Sequence, residues 1–358
     1  MKSMEYYIKS EADAYSKVFK NYQQLLRPLV EKYKTNQAKY NSIVLFATGS
    51  SSNAAYGAVP YMTERLGIPV YVEEPSIAAN YHSKFRDDIL YVAISQGGHS
   101  ASTIKVVKEL VAKKIDVFVL TSDPDSPIAQ TDAQIILMGM GIEEMPYVTL
   151  GYSVTILLLI LFAVESSFQT GKIAQTDYKN DKNEIGLIIN NLPEVVAVSE
   201  KWTDQYLAQN SDINRIFFIG YGAAYGVARE GETKVTETVH ITAQGKELEE
   251  YMHGPYIGLH SSDHFVFIEP QGKLEQRSQK LQKFLQLHCK NIALIAKKAV
   301  SSADVDVLSL NTDVNELLTA LFMTVPVHLL AYKLSKSKKI DLEHPTYPEF
   351  DEITKSKI

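Results

Sequence analysis

The chain has 358 residues, 45% of them apolar, and a formal net charge of −6. That length exceeds a single ordinary core and predicts two domains of about 150 residues each. The acidic balance, with no long run of Lys or Arg, argues against nucleic acid or an anionic membrane surface as partner, and the lone Cys289 excludes a disulfide framework or a Cys-based zinc site.

Residues 1–41 read as helices preceding the first domain. Their charged start, MKSMEYYIKSEADAYSK, lacks the apolar centre of a signal peptide, so a cytoplasmic, reducing setting is expected. From Ser42 onward short β-branched runs alternate with amphipathic segments, the pattern of βα units that build a parallel sheet. The strands are SIVLFAT, VYVEEP, ILYVAIS and DVFVLTS; in the helical stretch ASTIKVVKELVAKK, Ile104, Val107, Leu110 and Val111 share one face. The apolar run Ile156 to Val164 is too short to span a bilayer and predicts a buried or dimer-interface helix. The first domain is thus expected over 42–182, followed by a connecting helix over 183–205 and a second domain over 206–339. Within the latter, RIFFIGYGAAYG matches SIVLFATGSSSNAAYG in form, and HFVFIEPQ and NIALIAKK supply later strands, so the chain reads as an internal duplication. VNELLTALFMTVPVHLLAYKLSKSK predicts one long helix, and the tail 340–358 is too rich in Pro and charge to predict a regular element.

Two loops at predicted strand ends are rich in hydroxyls: TGSSSN, with Gly49, Ser50 and Ser51, and SQGGHSAST, with Ser95, Gln96 and Ser100. Small residues let a backbone approach an anion, and a helix N-terminus attracts it, so a phosphate monoester fits; helix capping by Ser and Thr is the other reading. Neither loop has the G-x-G-x-x-G of a dinucleotide binder, the P-loop Lys, or the second Gly of a nucleophile elbow.

In VAREGETKVTETV, Glu230, Lys234 and Glu237 fall on one helical face, which fits either a solvated salt-bridged surface or a functional row. In GKELEEYMHGP, Gly254 and Pro255 stop the acidic helix at His253. That histidine reads either as a surface residue or as an imidazole aimed from the helix end.

Together, ATGSSSNAA, AISQGGHSAST and VAREGETKVTE followed by ELEEYMHGP resemble the sugar isomerase (SIS) domain family, as found in the isomerase half of glucosamine-6-phosphate synthase and in fructosamine-6-phosphate deglycases. The resemblance runs from about Ser42 to the end of the sequence. It implies an α/β fold of two SIS domains, each a parallel five-stranded sheet in an α-β-α sandwich, flavodoxin-like. It also implies a small-molecule sugar phosphate as partner, held by Ser51, Ser95, Gln96 and Ser100 with Gly49 and Ser50 beside them. This chain has Gly97 and His99 where the family more often has Ser and Glu. By the same resemblance Glu237 moves a proton between C1 and C2, His253 opens the sugar ring, Glu250 matches a family glutamate that sets the tautomer of that histidine, and Lys355 is the tail lysine that closes over the sugar. Chemically, Lys234, one turn away, is placed to keep Glu237 or Glu230 ionised and to steady the developing oxyanion, and Glu230 is the next candidate for the base. In that family the histidine crosses to the neighbouring subunit, so a homodimer with shared active sites is expected. Acid and base side chains suffice for the proton transfer, and no cofactor or metal is expected. No glutaminase half with its nucleophilic cysteine is expected, hence no ammonia from glutamine by that route. The reaction implied is cleavage of a fructosamine 6-phosphate to an aldose 6-phosphate and an amine. An amino-sugar phosphate isomerase or deaminase, or a non-catalytic phosphosugar sensor, are the alternatives.

Overall fold

The computed structural model of the chain describes residues 2–81, 84–210, 212–300, 305–344 and 346–358. In chain order it runs α1 (Met4–Lys9), α2 (Glu11–Asn36), β1 (Ser42–Phe46), α3 (Ser50–Leu66), β2 (Val70–Glu73), α4 (Pro75–Tyr81), β3 (Ile89–Ile94), α5 (Ala101–Ala112), β4 (Val117–Thr121), β5 (Gln134–Leu137), α6 (Leu150–Gln169) and α7 (Gln175–Gln209). It continues with β6 (Arg215–Gly220), α8 (Ala223–Val239), β7 (Thr242–Glu247), α9 (Leu248–Met252), β8 (His264–Glu269), α10 (Glu275–Gln286), β9 (Asn291–Ala296), β10 (Asp306–Ser309), α11 (Ala320–Ser337) and α12 (Phe350–Thr354). The chain divides into two compact units, one of residues 13–183 with 343–358, the other of residues 2–12 with 184–342.

Each unit holds one five-stranded sheet, parallel throughout. The first has the order β2-β1-β3-β4-β5 and the second β10-β9-β8-β6-β7. Numbered within its own unit, each sheet reads 2-1-3-4-5, the doubly wound flavodoxin-like order, so the predicted duplication holds at the level of topology. The central strands are buried along almost their whole length and apolar between their ends, as sheets covered on both faces require. Val44, Phe46 and Tyr91 of the first sheet pack against Ile104, Val107 and Leu110 of α5, the face predicted from spacing. Val111, expected on that face, packs at its margin. In the second unit Phe217 stacks on Phe265 at 5.0 Å, and Leu281 and Leu285 of α10 cover them. Side chains of this size contribute about 1.5–3 kcal/mol each when buried.

The apolar run 156–164 is the middle of a longer helix, α6, whose 20 residues meet the length and composition of a membrane span. Its apolar window is nonetheless entirely buried within the protein. Two other elements differ from expectation. The stretch from Val314 is broken after a short 3-10 turn at Glu316–Leu318, capped by the Asn315 side chain, before α11 starts at Ala320. The tail contains a regular element after all, α12, which ends at Lys355 in the left-handed conformation.

Candidate active site

In the first unit the two hydroxyl-rich loops leave the carboxyl ends of β1 and β3, which are hydrogen-bonded neighbours. Gly49 occupies the cap position of α3 at φ 59°, ψ −138°, backbone that suits only glycine, and it supplies no side-chain oxygen to the first-turn N–H groups of Ser50 and Ser51. Ser100 caps α5, again without a side-chain cap bond; its Oγ instead accepts from Thr103 Oγ1 at 2.9 Å. Side-chain capping therefore does not account for these residues. Ser95 and Gln96 are buried, and the Gln96 carbonyl is fixed by Ser122 N–H and Oγ at 2.8 Å each and by Thr121 Oγ1 at 3.1 Å. The loop is thus held rigidly from the neighbouring strand β4.

The tail reaches this same loop. Ser356 carbonyl accepts from Ala101 N–H at 3.0 Å, Ile358 N–H donates to His99 carbonyl at 3.0 Å, and Lys357 bridges Ser100 in antiparallel fashion. His99 Nδ1 lies 2.6 Å from the Ile358 carbonyl oxygen. Lys355 stands two residues before that bridge, exposed.

The corresponding β8–α10 loop of the second unit is different. There Glu269 accepts from Tyr221 OH and from Gln271 N–H at 2.8 Å, and Glu316 accepts from Lys273 N–H at 3.0 Å. Carboxylates of the chain itself take the loop donors. The cap Gly222 repeats the geometry of Gly49, at φ 55°, ψ −131°.

The acidic row lies in the second unit on α8. Lys234 Nζ sits 2.5 Å from Glu237 Oε1 and 3.2 Å from Glu230 Oε1. The solvated-surface reading fails here, because the Lys234 and Glu230 side chains are 1% and 0% exposed while Glu237 is 34% exposed. Glu237 alone of the three opens to solvent. Burial pushes its carboxyl above the ordinary Glu value, and the Lys234 ammonium pulls in the other direction. Desolvation works against the Lys234 charge, yet the two flanking carboxylates hold its pKa above that of an ordinary lysine. The result is a carboxylate shielded enough to accept a proton and paired enough to be ionised.

His253 is exposed at the C-cap of α9, and Gly254 follows at φ 127°, which an L side chain adopts only under strain. The helix therefore ends at the histidine as predicted, but it is only five residues long. Gly245 to Glu247 belong instead to strand β7, where a Cβ on Gly245 would lie 2.3 Å from the Ala228 carbonyl oxygen of α8. The tautomer is set by a backbone carbonyl rather than by Glu250: His253 Nδ1 lies 2.7 Å from Glu249 O, so Nδ1 carries the hydrogen and Nε2 is left as the accepting atom. No hydrogen bond or ion pair joins His253 to Glu237. Of the neighbouring acids, Glu249 pairs with Arg277 at 2.6 Å and Glu247 caps α9, which leaves Glu250 exposed.

Sequence reasoning missed two members of the buried row. His328 of α11 places Nε2 3.4 Å from Glu230 Oε1, and its Nδ1 lies 3.9 Å from Glu11 Oε1, all three side chains being at most 1% exposed. The available signal was a lone imidazole inside the apolar stretch MTVPVHLLAY.

A family model described as the SIS domain matches residues 37–167 and 211–336. The chain belongs to the SIS domain family. This SIS protein is 26% identical over 324 residues to the glutamine–fructose-6-phosphate aminotransferase (isomerizing) of Thermococcus kodakarensis, covering 89% of this chain and 53% of that one. With the enzyme of the same name from Pyrococcus horikoshii the identity is 27% over 312 residues, covering 86% and 51%. The chain thus spans about half the length of the curated relatives it matches. Among solved structures, the C-terminal domain of glucosamine-fructose-6-phosphate aminotransferase from Francisella tularensis superposes with a TM-score of 0.84 at 21% identity, covering 96% of this chain and 98% of that one. Tagatose-6-phosphate ketose/aldose isomerase from Escherichia coli gives 0.76 at 16% identity, covering 96% and 97%. At such identities the SIS likeness is one of fold.

Proposed function

We propose that this SIS protein is a deglycase that cleaves a fructosamine 6-phosphate, an amine joined to C1 of a 6-phosphorylated ketose, into an aldose 6-phosphate and the free amine. The observation that carries the reading is the Glu237 carboxylate, open to solvent while its partner Lys234 and the next carboxylate, Glu230, are buried. Glu237 takes a proton from C1 as oxygen at C2 is protonated, giving the enaminol; return of a proton to C2 gives an imine or glycosylamine, which water hydrolyses. The Lys234 ammonium steadies negative charge as it moves from Glu237 to the substrate oxygen. His253, with Nε2 as its accepting atom, opens the sugar ring, in the proposed homodimer from the neighbouring subunit. Glu250 is the carboxylate left to meet a substrate ammonium.

The loops after β1 and β3 hold the 6-phosphate in this reading, through the helix N-termini and the hydroxyls of Ser51, Ser95 and Ser100. Ser95→Ala is then expected to raise KM severalfold with little change in kcat, because a phosphate contact is made alike in ground and transition states. Steady-state kinetics check this; a collapsed kcat at unchanged KM would remove Ser95 from the phosphate site.

A second reading, isomerisation or deamination of an amino-sugar phosphate, draws support from the names of the curated relatives, which join an isomerisation to amino transfer. The two separate in one assay. Across a panel of 6-phosphorylated Amadori products, release of glucose 6-phosphate coupled to its dehydrogenase is expected. Turnover confined to fructose 6-phosphate with ammonia, or to glucosamine 6-phosphate, would replace the deglycase with the second reading.

A further inference from the structure

We propose that His328 is a positioning residue of this site: held as an imidazolium between Glu11 and Glu230, it supplies Glu230 with positive charge and so leaves the Lys234 ammonium to Glu237. This rests on Glu237 being the working carboxylate.

The argument begins with donors and acceptors. Both ring nitrogens of His328 face carboxylate oxygens, Nε2 at 3.4 Å from Glu230 and Nδ1 at 3.9 Å from Glu11. The Glu230 contact is within hydrogen-bond reach and the Glu11 contact within ion-pair reach; a carboxylate only accepts, and a neutral imidazole carries one N–H, so only the doubly protonated ring presents a positive N–H to both. Burial points the same way: a carboxylate with a side chain at most 1% exposed is stabilised by a positive charge beside it, and His328 lies between two of them. Desolvation alone would lower the His328 pKa, but the two carboxylates outweigh it and raise it above the ordinary value.

The elements around α11 leave this assignment intact. Glu11 opens α2, and Glu230, Lys234 and Glu237 lie along α8. Glu5 of α1 is engaged by Tyr332 and Lys9, and Asp204 of α7 by Lys333. The charge on His328 also bears on Glu237 directly, favouring its ionised form.

Lys234 is therefore contested between two carboxylates, and His328 decides the contest. Removing its charge draws the ammonium toward Glu230 and makes Glu237 harder to ionise. Two NMR measurements on the full chain test this without any substrate, so they stand whether or not the deglycase reading survives. In wild-type protein with 15N-labelled histidine, His328 should show both ring nitrogens protonated at pH 7; a neutral ring would overturn the proposal even if no variant folds. In His328→Gln, the carboxyl 13C titration of Glu237 should move up by about half to one pH unit. A folded variant with the Glu237 titration unmoved would equally overturn it and reduce His328 to packing. Where turnover is measurable, the acidic limb of kcat/KM should move up with it, while loss of activity by one factor at every pH would count against the proposal.

Discussion

Replacing Glu237 by Gln is expected to lower kcat by about 10²- to 10⁴-fold, the usual contribution of a positioned general base, while sugar-phosphate binding changes by only a few fold. The amide matches the carboxylate in shape and still meets Lys234 with its oxygen, so the α8 row keeps its packing. What it cannot do is accept a proton. Exchange of the substrate C1 hydrogen with deuterated solvent, followed by proton NMR, should cease in the variant. Persistent exchange would move the base elsewhere on the chain. The raised Glu237 pKa also has a direction for activity. The acidic limb of kcat/KM should lie above the ordinary Glu range, because the base works only when ionised and burial favours its protonated form.

Replacing Lys234 by Met should strongly destabilise the fold of the second unit. It removes the ammonium from a side chain 1% exposed and leaves Glu230, at 0%, dependent on His328. Breaking a buried pair in this way typically costs about 3–5 kcal/mol. The loss should depend on pH with a definite sign. Ionising a buried carboxylate that has lost its nearest cation costs more in the folded chain than in the unfolded one, so the variant is expected to lie closest to wild type at low pH, where carboxyls are protonated. The deficit then grows as pH rises and carboxyls ionise more easily in the unfolded chain. Urea unfolding at about pH 4 and pH 8 measures it; a deficit equal at both would mean that the loss is one of packing and not of charge.

The parallel sheets were legible because their central strands are short apolar runs of β-branched, aromatic and other large side chains, a pattern that follows from burial on both faces. The edge strands β5 and β10 were not, since QIIL and DVLS are only four residues long and each has a single buried position. β7 was hidden for another reason: Lys246 and Glu247 favour a helix locally, whereas the segment pairs with β6 from Thr242 to Glu247 and sets Gly245 against the Ala228 backbone. At the site, the spacing of Glu230, Lys234 and Glu237 was visible, but the burial of Glu230 and Lys234 was not, because it depends on α11 covering α8. For the same reason His328 went unread. A single polar residue on an apolar helix declares its partners only when the opposing element is in place, and Glu11 lies at the far end of the chain.

The carboxylates of Glu269 and Glu316, seated among the loop donors of the second unit, make the two copies of the duplicated fold unequal. An anion tethered to the chain acts at an effective concentration that dilution cannot lower. The donors of that loop are therefore met by the chain itself, and an added anion would have to compete with a resident carboxylate. The charged row Glu230, Lys234 and Glu237 lies in this same copy, on α8, the counterpart of α3 in the first.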